Sequence, residues 1–260
     1  MLILLNQAIR KVLTYDPNEE FSGLYMHAVL MAVIVTESGY NAFIDDKVNA
    51  QFKKILTVWR DFLTTPASAE VLHVGENGWL SPNVIKSFET YVGDFAQAFE
   101  CEPDKPHYGY ISWDHFFVRS FRQGMRPLDF PDDPNVINSA CESTVYRIAG
   151  NVKEYDEFWL KEQNYSLRHM LDNDPLAHQF SGGTVYQAFL STTDYHRWHS
   201  PVTGTVIKAH VVPGTYYALS PALRHDNAIL TATQAYLSIV ATSRTPGPSF
   251  SSNPTTLISD

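Results

Sequence analysis

The feature that most constrains the fold is a change in the apolar pattern near the middle of the chain. In residues 1–100, apolar side chains recur at steps of three and four, and Pro and Gly are sparse inside the segments, which is typical of amphipathic helices. From residue 136 onward, β-branched residues cluster in short runs bounded by Gly, Pro, Asn and Asp, which favours strands. The pattern predicts an α+β chain, with a helical first part and a β-rich second part.

Individual segments carry this prediction. Helices are predicted at 2–13, 25–35, 40–63 and 81–99, the last opened by Ser81 and Pro82, with a short helical insert at 167–171. Strands are predicted at 145–148, 184–190, 202–212 and 214–218, and a strand or short helix at 235–241. Five prolines punctuate the loop-rich stretch between the two parts, at 103, 106, 127, 131 and 134.

Composition and charge exclude several classes of protein. With 44% hydrophobic and 13% aromatic residues, the chain has the apolar content of a folded protein rather than a disordered one. Its 19 basic and 28 acidic residues give a net charge of −9, which argues against nucleic acid as a partner. The longest apolar stretch, 24–35, is shorter than the roughly 20 residues that cross a bilayer, so no transmembrane segment is expected.

Cysteine usage and the first residues bear on location. Cys101 and Cys141 are too few for a disulfide framework, which favours a reducing compartment. The apolar start, MLILL, precedes its positive charges, whereas a secretory signal has them first. We therefore expect an intracellular, cytoplasmic protein, with peripheral association with a membrane left open.

The densest cluster of residues that could carry chemistry is Asp194-Tyr195-His196-Arg197-Trp198-His199. Two histidines three residues apart meet on one face of a helix, where a third ligand would complete a zinc site. No HExxH or CxxC pattern accompanies them, so no metal site is predicted and a metal-dependent hydrolase is a minor alternative. Taken alone, the spacing favours a structural role, with one histidine bonded to a backbone group at a turn and the other exposed.

This cluster is part of a longer signature. Residues 189–204 resemble the segment DYHR-x-H-x-P-x-x-G of the phosphatidylserine decarboxylase family. Further matches keep the family's order: Arg119-Ser120-Phe121-Arg122 with Arg126-Pro127, Asn164-Tyr165-Ser166-Leu167, Phe180 with Gly182-Gly183, and Val212-Pro213-Gly214. The N-terminal helical region and Ala140-Cys141-Glu142-Ser143 are most similar to a fungal branch that includes tryptophan decarboxylases. The resemblance covers roughly residues 21–242.

The resemblance implies four parts. Residues 1–100 would be the helical N-terminal domain of the fungal branch, and 101–134 a loop-rich connector. Residues 135–242 would be a partial phosphatidylserine decarboxylase-like catalytic domain, incomplete at its C-terminus. Residues 243–260, mostly Ser, Thr, Pro, Gly and Asn, would be an unrelated and disordered tail.

The resemblance also implies a reaction. Members of the family are carboxy-lyases that convert an internal serine into a pyruvoyl group, which forms a Schiff base with the amine of an amino acid or aminophospholipid before carbon dioxide leaves. His199 matches the base of the family's processing triad, and Glu142 matches the triad acid, which is usually an aspartate. His196 matches the second histidine, associated with proton donation in the decarboxylation step.

One departure from the family concerns the cofactor. The serine that the family converts follows a glycine, and none of the 13 glycines of this sequence is followed by serine. The pyruvoyl-forming serine is therefore absent, no residue is predicted to bind a cofactor, and the chain is expected to be inactive alone. The alternative is a non-catalytic relative that serves as a binding or regulatory partner of a complete paralogue.

Overall fold

The computed structural model describes residues 36–133, 135–155, 158–160, 163–190, 193–202, 237–241 and 255–259, together with residues 7, 10, 15, 33, 205, 206 and 209. The chain divides into two compact units. The first comprises Met1–Pro127 and Ser191–Arg197, and the second comprises Leu128–Leu190 and Trp198–Asp260. Residues 191–197, which carry part of the histidine motif, thus join the helical unit although they follow the first strands in sequence.

Helices build the described part of the first unit. They are α1 (Glu37–Phe43), α2 (Asp46–Leu63), α3 (Pro82–Val92), α4 (Phe95–Ala98) and α5 (Trp113–Phe117), with 3₁₀ turns at Pro66–Val71 and Pro106–Gly109. The helix predicted at 40–63 is in fact two helices, so that prediction is wrong at its start. The Asp45 carboxylate accepts hydrogen bonds from the backbone N–H groups of Lys47 and Val48, and this cap starts α2.

The helix predicted at 81–99 is also interrupted. Pro82 occupies its first turn, as predicted, but α3 ends at Val92 because Gly93 has φ 74° and ψ −150°, a backbone conformation that glycine adopts most easily. Asp94 then accepts a hydrogen bond from the backbone N–H of Gln97 and caps α4. Apolar periodicity predicted the helical content, while the Gly-Asp pair sets the break.

Aromatic side chains form the core of the first unit. Trp79 is 1% exposed and makes edge-on contacts with Trp113 and Phe116, at ring-centroid distances of 6.0 and 5.9 Å. Val84 and Phe88 lie four residues apart on α3 and are both buried, so one face of this helix packs against the aromatic cluster. Burial of these rings supplies much of the favourable free energy of folding in this unit.

The second unit contains a four-stranded sheet and a hairpin. The sheet has the order β1-β4-β6-β5, formed by β1 (Thr144–Gly150), β4 (Thr184–Phe189), β5 (Leu237–Ala241) and β6 (Thr255–Ser259). Strands β1 and β4 are antiparallel, β4 and β6 are parallel, and β5 and β6 are antiparallel. The hairpin pairs β2 (Phe158–Leu160) with β3 (Gln163–Tyr165), and α6 (Leu167–Met170) follows it.

The structure confirms the α+β class and several predicted elements. Strands occur at 145–148, at 184–189 and, in the segment left open as strand or helix, at 237–241, and α6 occupies the predicted helical insert. The predicted helices 2–13 and 25–35 and the strand 214–218 lie outside the described residues, as does most of the strand 202–212. No helix of the described residues is long and apolar enough to cross a bilayer.

The segment 243–260, which the sequence predicts to be disordered, includes the described strand Thr255–Ser259. These residues form β6, which pairs with β4 on one side and β5 on the other. The run TTLIS is rich in β-branched residues, which favour strands, and ladder hydrogen bonds on both sides satisfy its backbone. The average composition of the 18 residues 243–260 does not reveal this short run.

Gly93 provides a test of the break between α3 and α4. A Cβ at this position meets no atom within 4 Å, so replacement by alanine adds backbone strain without a clash. We expect Gly93→Ala to lower the free energy of unfolding by about 1–3 kcal/mol, measured by urea denaturation followed by tryptophan fluorescence. Gly150→Ala is the control, because a Cβ there would lie 4.0 Å from Thr184 Oγ1 and should change stability little. Equal urea midpoints for Gly93→Ala and the parent chain would contradict this account.

Candidate active site

Arg119 is a buried cation at the centre of the first unit. It is 2% exposed, and its Nη2 donates hydrogen bonds to the carbonyl oxygens of Thr193 and Asp194, both at 2.9 Å. Burial of a guanidinium is costly unless hydrogen bonds and aromatic faces replace the lost water. Four phenyl rings surround the guanidinium carbon, at centroid distances of 4.5 Å (Phe99), 4.7 Å (Phe88), 5.4 Å (Phe116) and 5.9 Å (Phe95).

Arg197 makes the corresponding contact in the opposite direction, from the histidine motif to the backbone beside Arg119. Arg197 Nε donates a hydrogen bond to the carbonyl oxygen of Val118 at 2.7 Å and approaches that of Arg119 at 3.4 Å. The side chain of Arg119 therefore holds the backbone at residues 193 and 194, while the side chain of Arg197 holds the backbone at residues 118 and 119. We call this pair of contacts the reciprocal arginine clamp. It attaches the histidine motif to the first unit at both ends of the segment 193–197.

Tyr195 and His196, which lie between the two contacts of the clamp, both pack against residues 117–121. Tyr195 is 5% exposed, and its ring centroid lies 4.2 Å from that of Phe121. The imidazole of His196 stacks on the ring of Phe117, with centroids 3.9 Å apart and planes at 23°. Phe117 in turn stacks on Trp113, at 4.6 Å and 18°. His196 is therefore the end of a three-ring stack whose other two members belong to α5.

The motif Arg119-Ser120-Phe121-Arg122 is anchored by backbone pairing. Phe99 and Phe121 form an antiparallel bridge, in which Glu100 N–H donates to Ser120 O and Arg122 N–H donates to Ala98 O. The rings of Phe99 and Phe121 stack at 4.7 Å and 14°. The side chain of Arg122 also donates to two backbone carbonyls, those of Ala96 and Cys101, so these hydrogen bonds fix the segment around residue 121 to residues 96–101.

His199 and Glu142 both lie in the second unit, on neighbouring segments. His199 N–H donates to Ala140 O at 2.7 Å, and Asn138 N–H donates to Pro201 O at 2.9 Å. Residue numbers rise along one segment as they fall along the other, which is the pattern of an antiparallel pair. The backbone of His199, the predicted base, therefore contacts Ala140, which lies two positions before Glu142, the predicted acid. His199 is exposed and Glu142 is half-buried.

The geometry does not favour the metal alternative. Residues 195–200 are not helical, so the spacing of His196 and His199 does not put both rings on one helical face. His196 belongs to the first unit and His199 to the second. Among the residues that the structure describes, no group of three or more His, Cys, Asp or Glu side chains could hold a metal ion.

The serines near His199 and Glu142 do not fit the precursor of a pyruvoyl group. Ser139 Oγ donates to Cys141 O, and Ser200 Oγ donates to Val202 O, both at 2.7 Å. Ser143 Oγ accepts a hydrogen bond from the Cys141 thiol at 3.4 Å. None of these serines follows a glycine. Their hydroxyls stabilise their own loops, so no serine in these two segments has the sequence context that the family converts.

Burial also changes the acidity of two groups beside the Arg119–Arg122 segment. It raises the pKa of the Cys101 thiol, although the nearby Arg122 guanidinium opposes the shift. Burial raises the pKa of the Tyr110 hydroxyl far above its ordinary value. Both groups are therefore neutral at physiological pH, and neither supplies a thiolate or phenolate for catalysis.

Sequence reasoning missed the residues that hold His196 in place. In the sequence, Arg119 and Arg197 are members of matched motifs without an assigned role, and no motif includes Phe117. A signal for Arg119 was present, because aromatic residues occupy positions 116, 117 and 121 around it. An arginine in so apolar a run is either exposed or compensated by specific partners, but the sequence does not say which.

The described residues thus define an α+β chain with one histidine held on an aromatic stack and another held beside a carboxylate-bearing segment. Two family models, both described as phosphatidylserine decarboxylase, match residues 113–250 and 1–88. The chain belongs to the phosphatidylserine decarboxylase family, as its motifs indicated.

Individual relatives agree with this assignment. Decarboxylase iboD of Amanita muscaria is 46% identical over 189 residues, covering 72% of this chain and 54% of that protein. L-tryptophan decarboxylase of Psilocybe cubensis is 34% identical over 235 residues, covering 86% and 52%. The phosphatidylserine decarboxylase proenzyme of Aliivibrio salmonicida is 34% identical over 146 residues, covering 55% and 48%. The chain spans about half the length of these curated relatives.

The raised pKa of Cys101 gives a test of how the thiol is packed. In the variant Cys141→Ser, Cys101 is the remaining cysteine of the two. We expect its alkylation by iodoacetamide to require a higher pH in the folded chain than in urea, because burial disfavours the reactive thiolate. The measurement is the mass of the adduct as a function of time over a pH series.

Arg122 supplies the control for that measurement. Its guanidinium lowers the pKa of the thiol against the effect of burial, so adding Arg122→Met should move the folded profile to still higher pH. Identical alkylation profiles for the folded and the urea-unfolded chain would contradict the buried placement of Cys101.

Proposed function

We propose that this chain carries the histidine-bearing part of an amino-acid decarboxylase. The observation that supports this most is the antiparallel contact between residues 138–140 and 199–201, which joins the segments of His199 and Glu142. A base and an acid on adjacent segments are what proton transfer from a weak nucleophile requires. Membership of a decarboxylase family supplies the reaction class.

Each residue has a proposed role. His199 takes a proton from a serine hydroxyl, since a neutral imidazole is a good proton acceptor near physiological pH. Glu142 holds the imidazole in the tautomer that accepts this proton. His196 donates a proton to the substrate carbon after carbon dioxide has left, a step in which general acid catalysis typically contributes about 10²–10⁴-fold.

The serine itself is proposed to come from outside these 260 residues. No glycine in them precedes a serine, and the hydroxyls of Ser139 and Ser200 donate to carbonyls of their own loops. We therefore assign no step of the reaction to a prosthetic group within this chain and propose that it is inactive alone.

We propose an amino acid as the substrate. The L-tryptophan decarboxylases of Psilocybe cubensis and Psilocybe cyanescens match 86% and 75% of the chain, whereas the phosphatidylserine decarboxylase proenzymes match about half of it, for example 54% and 55%. The alternative substrate, an aminophospholipid, would bring the chain to a membrane surface as a peripheral protein. Release of amine from tryptophan and from phosphatidylserine vesicles distinguishes the two.

A second candidate function follows from the missing serine. The chain could serve as a non-catalytic partner of a complete family member, because a chain without the processed serine retains its folded surfaces. The experiment below separates this candidate from the first.

A chimera tests the proposed roles directly. Residues 1–241, which end with β5, are joined to the corresponding remainder of the Psilocybe cubensis L-tryptophan decarboxylase. We expect the chimera to cleave itself into two chains and to release amine and carbon dioxide from tryptophan, measured by intact mass and amine release. The variant His199→Ala should remain uncleaved, and His196→Ala should cleave but turn over about 10²–10⁴-fold more slowly.

Ser200→Ala is the matched control, since that hydroxyl donates only to a carbonyl two residues away. It should cleave and turn over like the parent chimera. Normal cleavage by the His199→Ala chimera would contradict the role of His199. A folded chimera that neither cleaves nor releases amine would favour the non-catalytic candidate.

A further inference from the structure

We propose that Arg119 and Phe117 are positioning residues that fix the orientation of the His196 imidazole. This inference rests on the proposed function only for the chemical purpose of His196. The positioning itself rests on contacts within the first unit.

Arg119 fixes the backbone that leads into His196. Its Nη2 donates to the carbonyls of residues 193 and 194, so one planar group holds two successive peptide units. The guanidinium lies among four phenyl rings and is 2% exposed, so it holds these carbonyls away from bulk solvent. Removing it leaves two carbonyls without that donor and frees the start of the segment.

Phe117 fixes the plane of the ring. The interplanar angles along the stack Trp113–Phe117–His196 are 18° and 23°, so three rings are nearly parallel. Trp113 and Phe117 lie four residues apart on α5 and therefore share a helical face. Contact across a flat aromatic face disfavours rotation of the imidazole out of this plane.

Helix α5 is itself held in place at its start. The backbone N–H of Trp113 donates to Ser68 Oγ at 2.9 Å, and the single proton of that hydroxyl is shared between the carbonyls of Leu63 and Thr65. Ser68 has no exposed surface. Ser112 caps the helix by accepting a hydrogen bond from His115 N–H. Helix α5, which carries Trp113 and Phe117, is therefore attached through Ser68 to the end of α2.

Orientation matters for the proposed chemistry. A proton donor acts only when its N–H lies within hydrogen-bond reach of the reacting atom, and a displacement of about 1 Å can reduce a rate by roughly 10²-fold. His196 is half-buried, and the stack restricts the rotamers open to its side chain. The clamp fixes the backbone and the stack fixes the plane of the ring, and together they restrict the directions in which the N–H can point.

The test is a spectroscopic measurement on the full 260-residue chain. In histidine-labelled protein, the ring protons of His196 are identified by their loss in His196→Gln. The ring current of Phe117 should shift them upfield of free histidine. We expect Phe117→Leu to remove this shift, as loss of the ring itself would. Orientation is therefore read from Arg119→Met, which keeps the Phe117 ring and should abolish the shift or broaden the signals through motion. Arg119→Lys, which keeps one cationic donor, should restore part of the shift.

Arg122→Met is the matched control. Arg122 also donates to two backbone carbonyls, but these belong to Ala96 and Cys101, so the His196 signals should not move. Urea denaturation of every variant separates loss of stability from loss of orientation. Should Arg119→Met fail to fold, Arg119→Lys decides, because it also keeps the Phe117 ring. His196 signals that are unchanged in Phe117→Leu, or that move as far in Arg122→Met as in a folded Arg119→Met, would overturn the proposal.

The two proposals fail in different ways. If the His196 signals respond as expected but the His196→Ala chimera decarboxylates at the parent rate, the proposed function of His196 fails and the positioning stands. If His196→Ala abolishes turnover while Phe117→Leu leaves both the His196 signals and the turnover number unchanged, the positioning fails and the function stands. If both the proposed function of His196 and its positioning are correct, Phe117→Leu in the chimera should lower kcat by roughly 10-fold or more with little change in KM.

Discussion

The buried guanidinium of Arg119 is the interaction on which the first unit depends. A cation that is 2% exposed lowers stability unless every part of it is compensated. Its compensation comes from four rings carried by α3, α4, α5 and the residue after α4, and from two carbonyls more than 70 residues away in sequence. One side chain therefore contacts both the aromatic core and residues 193 and 194 of the segment that leads into the histidine motif.

This dependence explains why residues 193–197 belong to the helical unit. The segment offers its carbonyls to Arg119 at one end and the side chain of Arg197 to the backbone of Val118 at the other. Between them, Tyr195 packs on Phe121 and His196 packs on Phe117. A few residues beyond Arg197, His199 is tied by its backbone to Ala140 in the second unit. The histidine motif is thus held at His196 by ring stacking and at His199 by a backbone hydrogen bond, each within its own unit.

The sequence predicted those parts of the fold that depend on local pattern. Apolar periodicity predicted α2 and α3, and β-branched runs predicted β1 and β4, while the segment of β5 was left open as a strand or a short helix. It merged helices across Asp45 and Gly93, because periodicity alone does not weigh a cap or a positive φ. It could not find β6, whose partner β4 lies about 70 residues earlier, nor the burial of Arg119, since charged residues are exposed by default. The motif match identified His196, His199 and Glu142 as candidate site residues. The roles of Phe117 and Arg197 follow only from contacts at long sequence separation.

A double-mutant cycle on the reciprocal arginine clamp tests this account most directly. The free energy of unfolding is measured by urea denaturation for the parent chain, Arg119→Met, Arg197→Met and the double variant. If the two arginines fasten the same segment from its two ends, the loss of one weakens the contact of the other. The account predicts a coupling free energy of about 0.5–3 kcal/mol. Losses that add to within about 0.3–0.5 kcal/mol would show two independent contacts and contradict it.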